Sequence, residues 1–452
     1  MSGPPEPVER EWDVVIVGGG PSGSIAAVVA ARRGLSTLVL EKSRHPRFQI
    51  GESLLAKNLR LLEELGIADG VEALPRTIKT GGSFAFGNGD ELVDFLFTRS
   101  LEPHAPDTFN IERSIFDEYL AGCARREGAT VVEGVTVREV RELDHGRVTL
   151  GVRDEAGVET VVSGRCLLDA SGQATVVGRH LGTRRPLPEL RKIAYYGQMQ
   201  GVERRAGEPG GYPVILFCDE GWFWLIPLDE ERTSVGFVVD EKVARGLDVP
   251  AKEMLAWGIE RCPFVARLTR RASSPEWVRV AADFSYRCEP YAGPGYFLLG
   301  DAATFVDPVF STGVCLGMAS GARAAELAAG VLDGSLAPER AARVYGRFVA
   351  ESSAPLFQMV RHFYRHSFRE LFLHGHGMLK VHRAVTTALA GFVFPRPSFR
   401  VRWRLRLFDL LVDLQERWPL VPRRDGWSLL REAPSPGLQT EASRASTSTG
   451  PA

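Results

Sequence analysis

The spacing of apolar and polar positions divides the chain into three kinds of segment. Residues 13–17 (DVVIV) and 37–40 (TLVL) are short, continuous and rich in β-branched side chains, the composition of strands buried on both faces. The alanine-rich stretch 24–33 between them predicts a helix. A hydrophobic strand near 296–299 is followed by a second long, small-residue helix opening at Ser311, Thr312 and Gly313 and running through Leu327. Strand-like runs at 82–97, 192–202, 214–227 and 233–240 predict a sheet layer interleaved with the first unit. After Gly330, apolar residues recur at helical spacing through 341–373, 378–394 and 399–418, and residues 432–452, rich in Ser, Thr, Pro, Gly and Ala, predict a disordered tail.

The fold class this pattern predicts is α/β. A Rossmann-type domain over 11–335 is interrupted by sheet segments at about 75–108 and 180–282, and a C-terminal helical region over 336–431 caps the substrate side. The first strand runs into Gly18-Gly19-Gly20-Pro21-Ser22-Gly23, a GxGxxG loop in its proper strand, helix, strand setting. Gly18 permits the tight turn, Gly20 lets the backbone approach a pyrophosphate, and Gly23 lets helix pack on strand. Glu41, ending the second strand, is placed to accept hydrogen bonds from a ribose diol and disfavours a phosphorylated ribose by like-charge repulsion.

Within the sheet layer, residues 221–227 read GWFWLIP. Side chains two apart share a face of a strand, so Trp222 and Trp224 point together while Phe223 and Leu225 point the other way. Taken alone, the pair fits a core strand as well as the wall of a site. Lys79, in the run IKTGGSFAFG, alone fits a solvated surface charge as well as a catalytic group.

Neighbouring motifs change that balance. The run YFLLGDAATFVDPVF at 296–310 resembles the second flavin fingerprint of glutathione-reductase-like flavoproteins, which implies FAD, with Asp301 near the ribityl or pyrophosphate region. RSIFDEYL at 113–120 resembles the RxxFDxxL element of flavin monooxygenases, whose arginine, here Arg113, approaches the phosphates, and LDASG at 168–172 resembles a strand-end turn of the same families. Within that superfamily the chain resembles the flavin-dependent halogenases: PRFQIGESLL at 46–55 matches RxxxGES, 222–227 matches WxWxIP, and DPVFSTGV at 307–314 matches the chloride-site loop.

The resemblance implies that Lys42, Arg47, Gly51, Glu52, Ser53, Val135, Pro308, Gly313 and Val314 join Gly18, Gly20, Ser22, Gly23, Glu41, Arg113 and Asp301 at the cofactor. It further implies that the amides of Thr312 and Gly313 hold chloride or bromide, as helix N-termini hold anions. Reduced FAD from a separate NAD(P)H:flavin reductase, O2 and halide then give hypohalous acid. Trp222 and Trp224 keep the organic substrate off the flavin, and Lys79 directs the oxidant onto it, as an ammonium donating a hydrogen bond or as an amine forming a chloramine; both forms stay open. Phe310 stands where tryptophan halogenases carry a glutamate, so the resemblance points to phenol-like or pyrrole-like rings, possibly attached to a carrier protein.

Composition narrows the partners. Of 452 residues, 55 are Lys or Arg and 56 Asp or Glu, a net charge of −1 that gives no basic excess for nucleic acid. The six cysteines are scattered without a CxxC pair, so no metal site is expected and a reduced, cytoplasmic setting is; no apolar run is long enough to span a bilayer. The basic run RVRWRLR at 400–406 reads as a solvated helix face or as a patch for an acidic carrier or membrane surface. Two other functions share these features: an FAD-dependent hydroxylase or epoxidase of the same fold, and a non-catalytic flavin-binding protein that docks a carrier.

Overall fold

In the computed structural model, residues 10–431 are described, apart from 89–91, 103–107, 283–284, 375–379 and 394–395. The tail from Glu432 lies outside the described residues, as do both ends of the helix expected at 378–394 and the Asp283 end of the last cofactor segment.

The β-branched opening forms the strand Glu11–Val17, which pairs in parallel with Thr37–Glu41 on one side and Glu159–Asp169 on the other. Thr130–Glu133 and Tyr296–Leu298 extend the sheet in parallel. Val14, Val15 and Ile16 have no solvent exposure, because helices cover both faces of a parallel sheet. The helices Pro21–Arg32 and Gly313–Leu332 cross so closely that a Cβ on Gly321 would stand 2.3 Å from the Ser22 carbonyl oxygen. Small residues at the crossing are therefore a packing requirement. An antiparallel pair, Val135–Asp144 and Arg147–Asp154, continues into Glu159–Asp169.

The second layer is a seven-stranded sheet in the order Arg279–Ala282, Lys192–Gln200, Arg232–Asp240, Gly221–Pro227, Val214–Cys218, Gly81–Phe86, Val93–Leu96. The segment expected at 214–227 is thus two antiparallel strands, turning at Asp219 and Glu220. Alternation sorts the middle strand as its sequence dictates. Phe223 and Leu225 enter one core with Phe237, and Trp222, Trp224 and Ile226 enter another with the cofactor domain and the C-terminal helices.

The sequence reading placed Lys79 in that sheet layer, and the structure does not. Lys79 ends the short strand Thr77–Lys79, which pairs with Thr108–Asn110 as a separate two-stranded ribbon, with Ser53 bridging to Asn110. Gly81 then starts the large sheet, after a one-residue gap at Thr80.

The helical region is also finer than its periodicity suggests. The stretch expected as 341–373 is two helices, Pro338–Phe363 and His366–Leu373, parted at Tyr364 and Arg365; Val381–Leu389 and Phe399–Arg417 follow. Phe363, Phe368 and Phe372 are buried in the same core as Trp222 and Trp224, which packs these helices against the sheet. Val401 and Leu405 are buried among the arginines of 400–406, so that run is an amphipathic helix face. The six cysteines are all buried and free, and among the described residues no helix is long and apolar enough to cross a membrane.

Candidate active site

Gly18 adopts φ +104°, and a Cβ there would lie 2.2 Å from the Ala170 carbonyl oxygen. A Cβ on Gly23 would lie 1.9 Å from the Gly18 carbonyl oxygen, so this glycine serves packing and does not line the cleft. Gly20 caps the helix Pro21–Arg32 without a side-chain bond, which leaves the first-turn amides turned toward the cleft.

That cleft holds about 500 Å³. Gly18, Gly20, Ser22, Glu41, Lys42 and Arg47 line its one end, and Arg113, Val135, Asp301, Gly313 and Val314 the rest. The Glu41 carboxylate accepts from the Gly19 and Ser43 amides at 2.7 and 3.0 Å, which fixes it at the strand end with lone pairs to spare. Arg113 donates to Asp117 at 2.7 and 3.0 Å and to the Ile50 carbonyl at 2.7 Å; Arg47 reaches the same Asp117 at 3.1 Å. Sequence reasoning gave Asp117 no role, yet this fully buried carboxylate orients both cleft arginines. Its i,i+4 spacing from Arg113 was the available signal. Burial pushes the Asp301 carboxyl up to about 6, opposed by Arg113. Two helix N-termini, a diol-accepting carboxylate and two fixed arginines along one cleft suit a dinucleotide with a long flavin arm, so the residues present fit FAD.

A second cavity of about 140 Å³ adjoins the first, sharing Gln49, Ile50, Gln173, Asp301, Gly313 and Val314 with it. One wall is Trp222, Trp224 and Ile226; another is the loop from Asp307 through Thr312; Gly51, Glu52 and Ser53 close a third side. The two indoles stand 5.7 Å apart between ring centroids and are almost wholly buried. Pro308 lies here and not at the larger cleft, as do Gly51, Glu52 and Ser53. Ser311, at φ +56°, turns the chain so that Thr312 and Gly313 begin the helix, and no backbone carbonyl among the described residues accepts from either amide. Phe310 turns away from the cavity and packs edge-on against Phe363.

A hydrogen-bond chain that sequence reasoning missed ties wall to loop. Trp222 Nε1 donates to Tyr364 Oη at 3.1 Å, and Tyr364 Oη donates to Asp307 Oδ2 at 2.6 Å. Asp307 Oδ1 accepts the Val309 amide at 3.0 Å, and Lys192 Nζ sits 4.2 Å above the Tyr364 ring. Burial pushes the Asp307 carboxyl up to about 6. Tyr364 comes from the break between two cap helices, 142 residues from its tryptophan, and no local pattern announces it.

Lys79 is 4 % exposed and lines neither cavity. Its Nζ donates to Ser53 Oγ at 2.8 Å and to the Leu54 carbonyl at 2.9 Å, and lies 5.4 Å from the Phe97 ring. Burial, with no carboxylate beside it among the described residues, lowers the amine from 10.5 to about 7. Ser53 lines the smaller cavity, so one serine touches both the indole chamber and the lysine.

Fold and cleft together define an FAD-dependent oxidoreductase. The FAD binding domain family matches residues 11–345. The 1H-pyrrole-2-carbonyl-[peptidyl-carrier protein] brominase of Pseudoalteromonas luteoviolacea is 32% identical over 330 residues, 72% of this chain and 79% of its own. The corresponding chlorinase of Pseudomonas fluorescens is 29% identical over 335 residues, 69% and 74% of the two chains. Among solved structures, the flavin-dependent brominase Bmp2 superposes with a TM-score of 0.80 at 28% identity, over 90% of this chain and all of its own. The chain belongs to the flavin-dependent halogenases.

Proposed function

We propose that this halogenase makes hypohalous acid at the Thr312 and Gly313 amides and passes it, through the chamber walled by Trp222 and Trp224, to Lys79, which aims it at an electron-rich ring. FAD bound in the large cleft supplies the activation of O2; a separate reductase delivers it reduced. The cleft residues hold and orient the cofactor, and the helix-start amides hold the halide beside it without a competing side-chain cation. The indoles exclude an organic ring from the chamber, which leaves room for an oxidant as small as hypohalous acid.

One observation carries this reading: Lys79 is buried, has no carboxylate partner among the described residues and is joined to the chamber through Ser53. A lysine so desolvated is held near neutrality, where both its protonated and free-base forms are populated. For the substrate, the two carrier-dependent pyrrole halogenases and the apolar Phe310 favour a pyrrolic or phenolic acyl group tethered to a peptidyl carrier over free tryptophan. The cell interior suits such a partner.

The test is mass spectrometry after incubation with reduced FAD, O2 and chloride or bromide, using pyrrole-2-carboxylate free and carrier-bound. Halide-dependent gain of halogen on the carrier-bound ring, lost in Lys79→Met, supports the reading. A halide-independent gain of one oxygen identifies a hydroxylase and overturns it.

A further inference from the structure

Lys79 does not stand alone on its ribbon. It pairs directly with Thr108, and Asn110 pairs with Thr77 on one side and bridges to Ser53 on the other. Directly opposed residues put their side chains on one face of a sheet, with Cβ atoms about 5 Å apart. Lys79, Thr108, Asn110 and Ser53 therefore converge on one face, and none is more than 4 % exposed.

Thr108 Oγ1 and Asn110 Oδ1 are buried without a hydrogen-bond partner among the described residues. The Asn110 amide is not free to turn: its Nδ2 donates to the Gly211 carbonyl at 2.9 Å, which fixes Oδ1 as the idle atom. Two such acceptors beside a desolvated amine are costly in an empty protein interior and become useful when a small hydrogen-bonding guest arrives. The opposite side of the same segment repeats the pattern, since Glu52 Oε1 is also buried and unpaired while Glu52 lines the indole chamber.

We propose that Thr108 and Asn110 complete, with Ser53 and Lys79, a buried seat for hypohalous acid at the point where it leaves the chamber. The oxidant O–H donates to Asn110 Oδ1, the Thr108 hydroxyl donates to the oxidant oxygen, and the halogen faces Lys79 Nζ. From that seat the free-base amine attacks halogen: an N–X bond forms as the O–X bond breaks, and the departing hydroxide takes a proton from nitrogen to become water. Thr108 and Asn110 are positioning residues, acting on where the oxidant rests and how long it stays. This rests on the halogenase reading and adds the residues that make delivery to Lys79 efficient.

The experiment omits flavin, so that it stands apart from turnover. Wild type, Thr108→Val, Thr108→Ser and Asn110→Leu each receive one equivalent of hypochlorite, and N-chlorination of Lys79 is measured by peptide mass spectrometry relative to the exposed Lys242 and Lys252. The seat predicts about a fivefold lower Lys79 share in Thr108→Val and Asn110→Leu and a near-complete return in Thr108→Ser. A second readout, hypohalous acid trapped by taurine during turnover, rises by a similar factor in the same two variants while FAD affinity is unchanged. Thr108→Val is nearly isosteric, so it carries the test even where Asn110→Leu does not fold. An unchanged Lys79 share in Thr108→Val overturns the seat. Failure of the wild type to give any halogenated product overturns the halogenase mechanism instead, a different result from a different assay.

Discussion

Replacing Lys79 with methionine should make the protein more stable at neutral pH while removing its directed chemistry. Burial lowers the Lys79 amine from 10.5 to about 7, and at about 1.4 kcal/mol per pH unit this corresponds to about 5 kcal/mol of stability withheld below pH 7. The sign follows from proton counts: between pH 7 and 10.5 the unfolded chain binds a proton that the folded chain has released, so wild-type stability rises with pH across that window. At pH 9 about 2 kcal/mol of the penalty remains. Methionine removes the penalty but also takes a donor from Ser53 Oγ and the Leu54 carbonyl, at a cost of about 1–3 kcal/mol. Lys79→Met should therefore be more stable than wild type by roughly 2–4 kcal/mol at pH 6 and about equal to it at pH 9. Urea unfolding at the two pH values measures the difference directly, alongside product formation and taurine trapping. A stability gap that is the same at pH 6 and pH 9 would refute the desolvated amine. Loss of oxidant production together with product would refute a role confined to delivery.

Other outcomes follow from the same geometry. Gly18→Ala drives a methyl into the Ala170 carbonyl at 2.2 Å and should abolish FAD binding, measured by flavin fluorescence quenching, while Gly34→Ala, open around its Cβ, serves as a control for a strained glycine far from the cleft. Arg113→Ala leaves the buried Asp117 with Arg47 as its one remaining arginine, destabilising the fold by about 1–3 kcal/mol in a denaturation curve as well as weakening FAD. Trp222→Ala removes a fully buried indole, at about 3–5 kcal/mol, and should let hypohalous acid escape to the taurine trap. Tyr364→Phe breaks the link from indole to Asp307 and should raise the halide concentration needed for half-maximal rate several-fold, with FAD affinity unmoved.

Much of this molecule is local and was therefore legible. The glycine loop, its flanking strands and Glu41 lie within one strand, helix, strand unit, where period and turn chemistry act over a few residues, and the structure lines the large cleft with Gly18, Gly20, Ser22 and Glu41. The facing of Trp222 and Trp224 was equally readable, since alternation along one strand needs no partner to define it. The surroundings of Lys79 were not. Its ribbon forms from strands 29 residues apart, its serine comes from a third segment, and its desolvation depends on all of them closing over one nitrogen. The Trp222, Tyr364 and Asp307 chain likewise joins a sheet, a helix break and a loop. Sequence fixes what a side chain is and which way its own strand or helix turns it. How much water it keeps, and which polar atom meets it, is decided when distant segments pack, because desolvation is a property of everything surrounding a group.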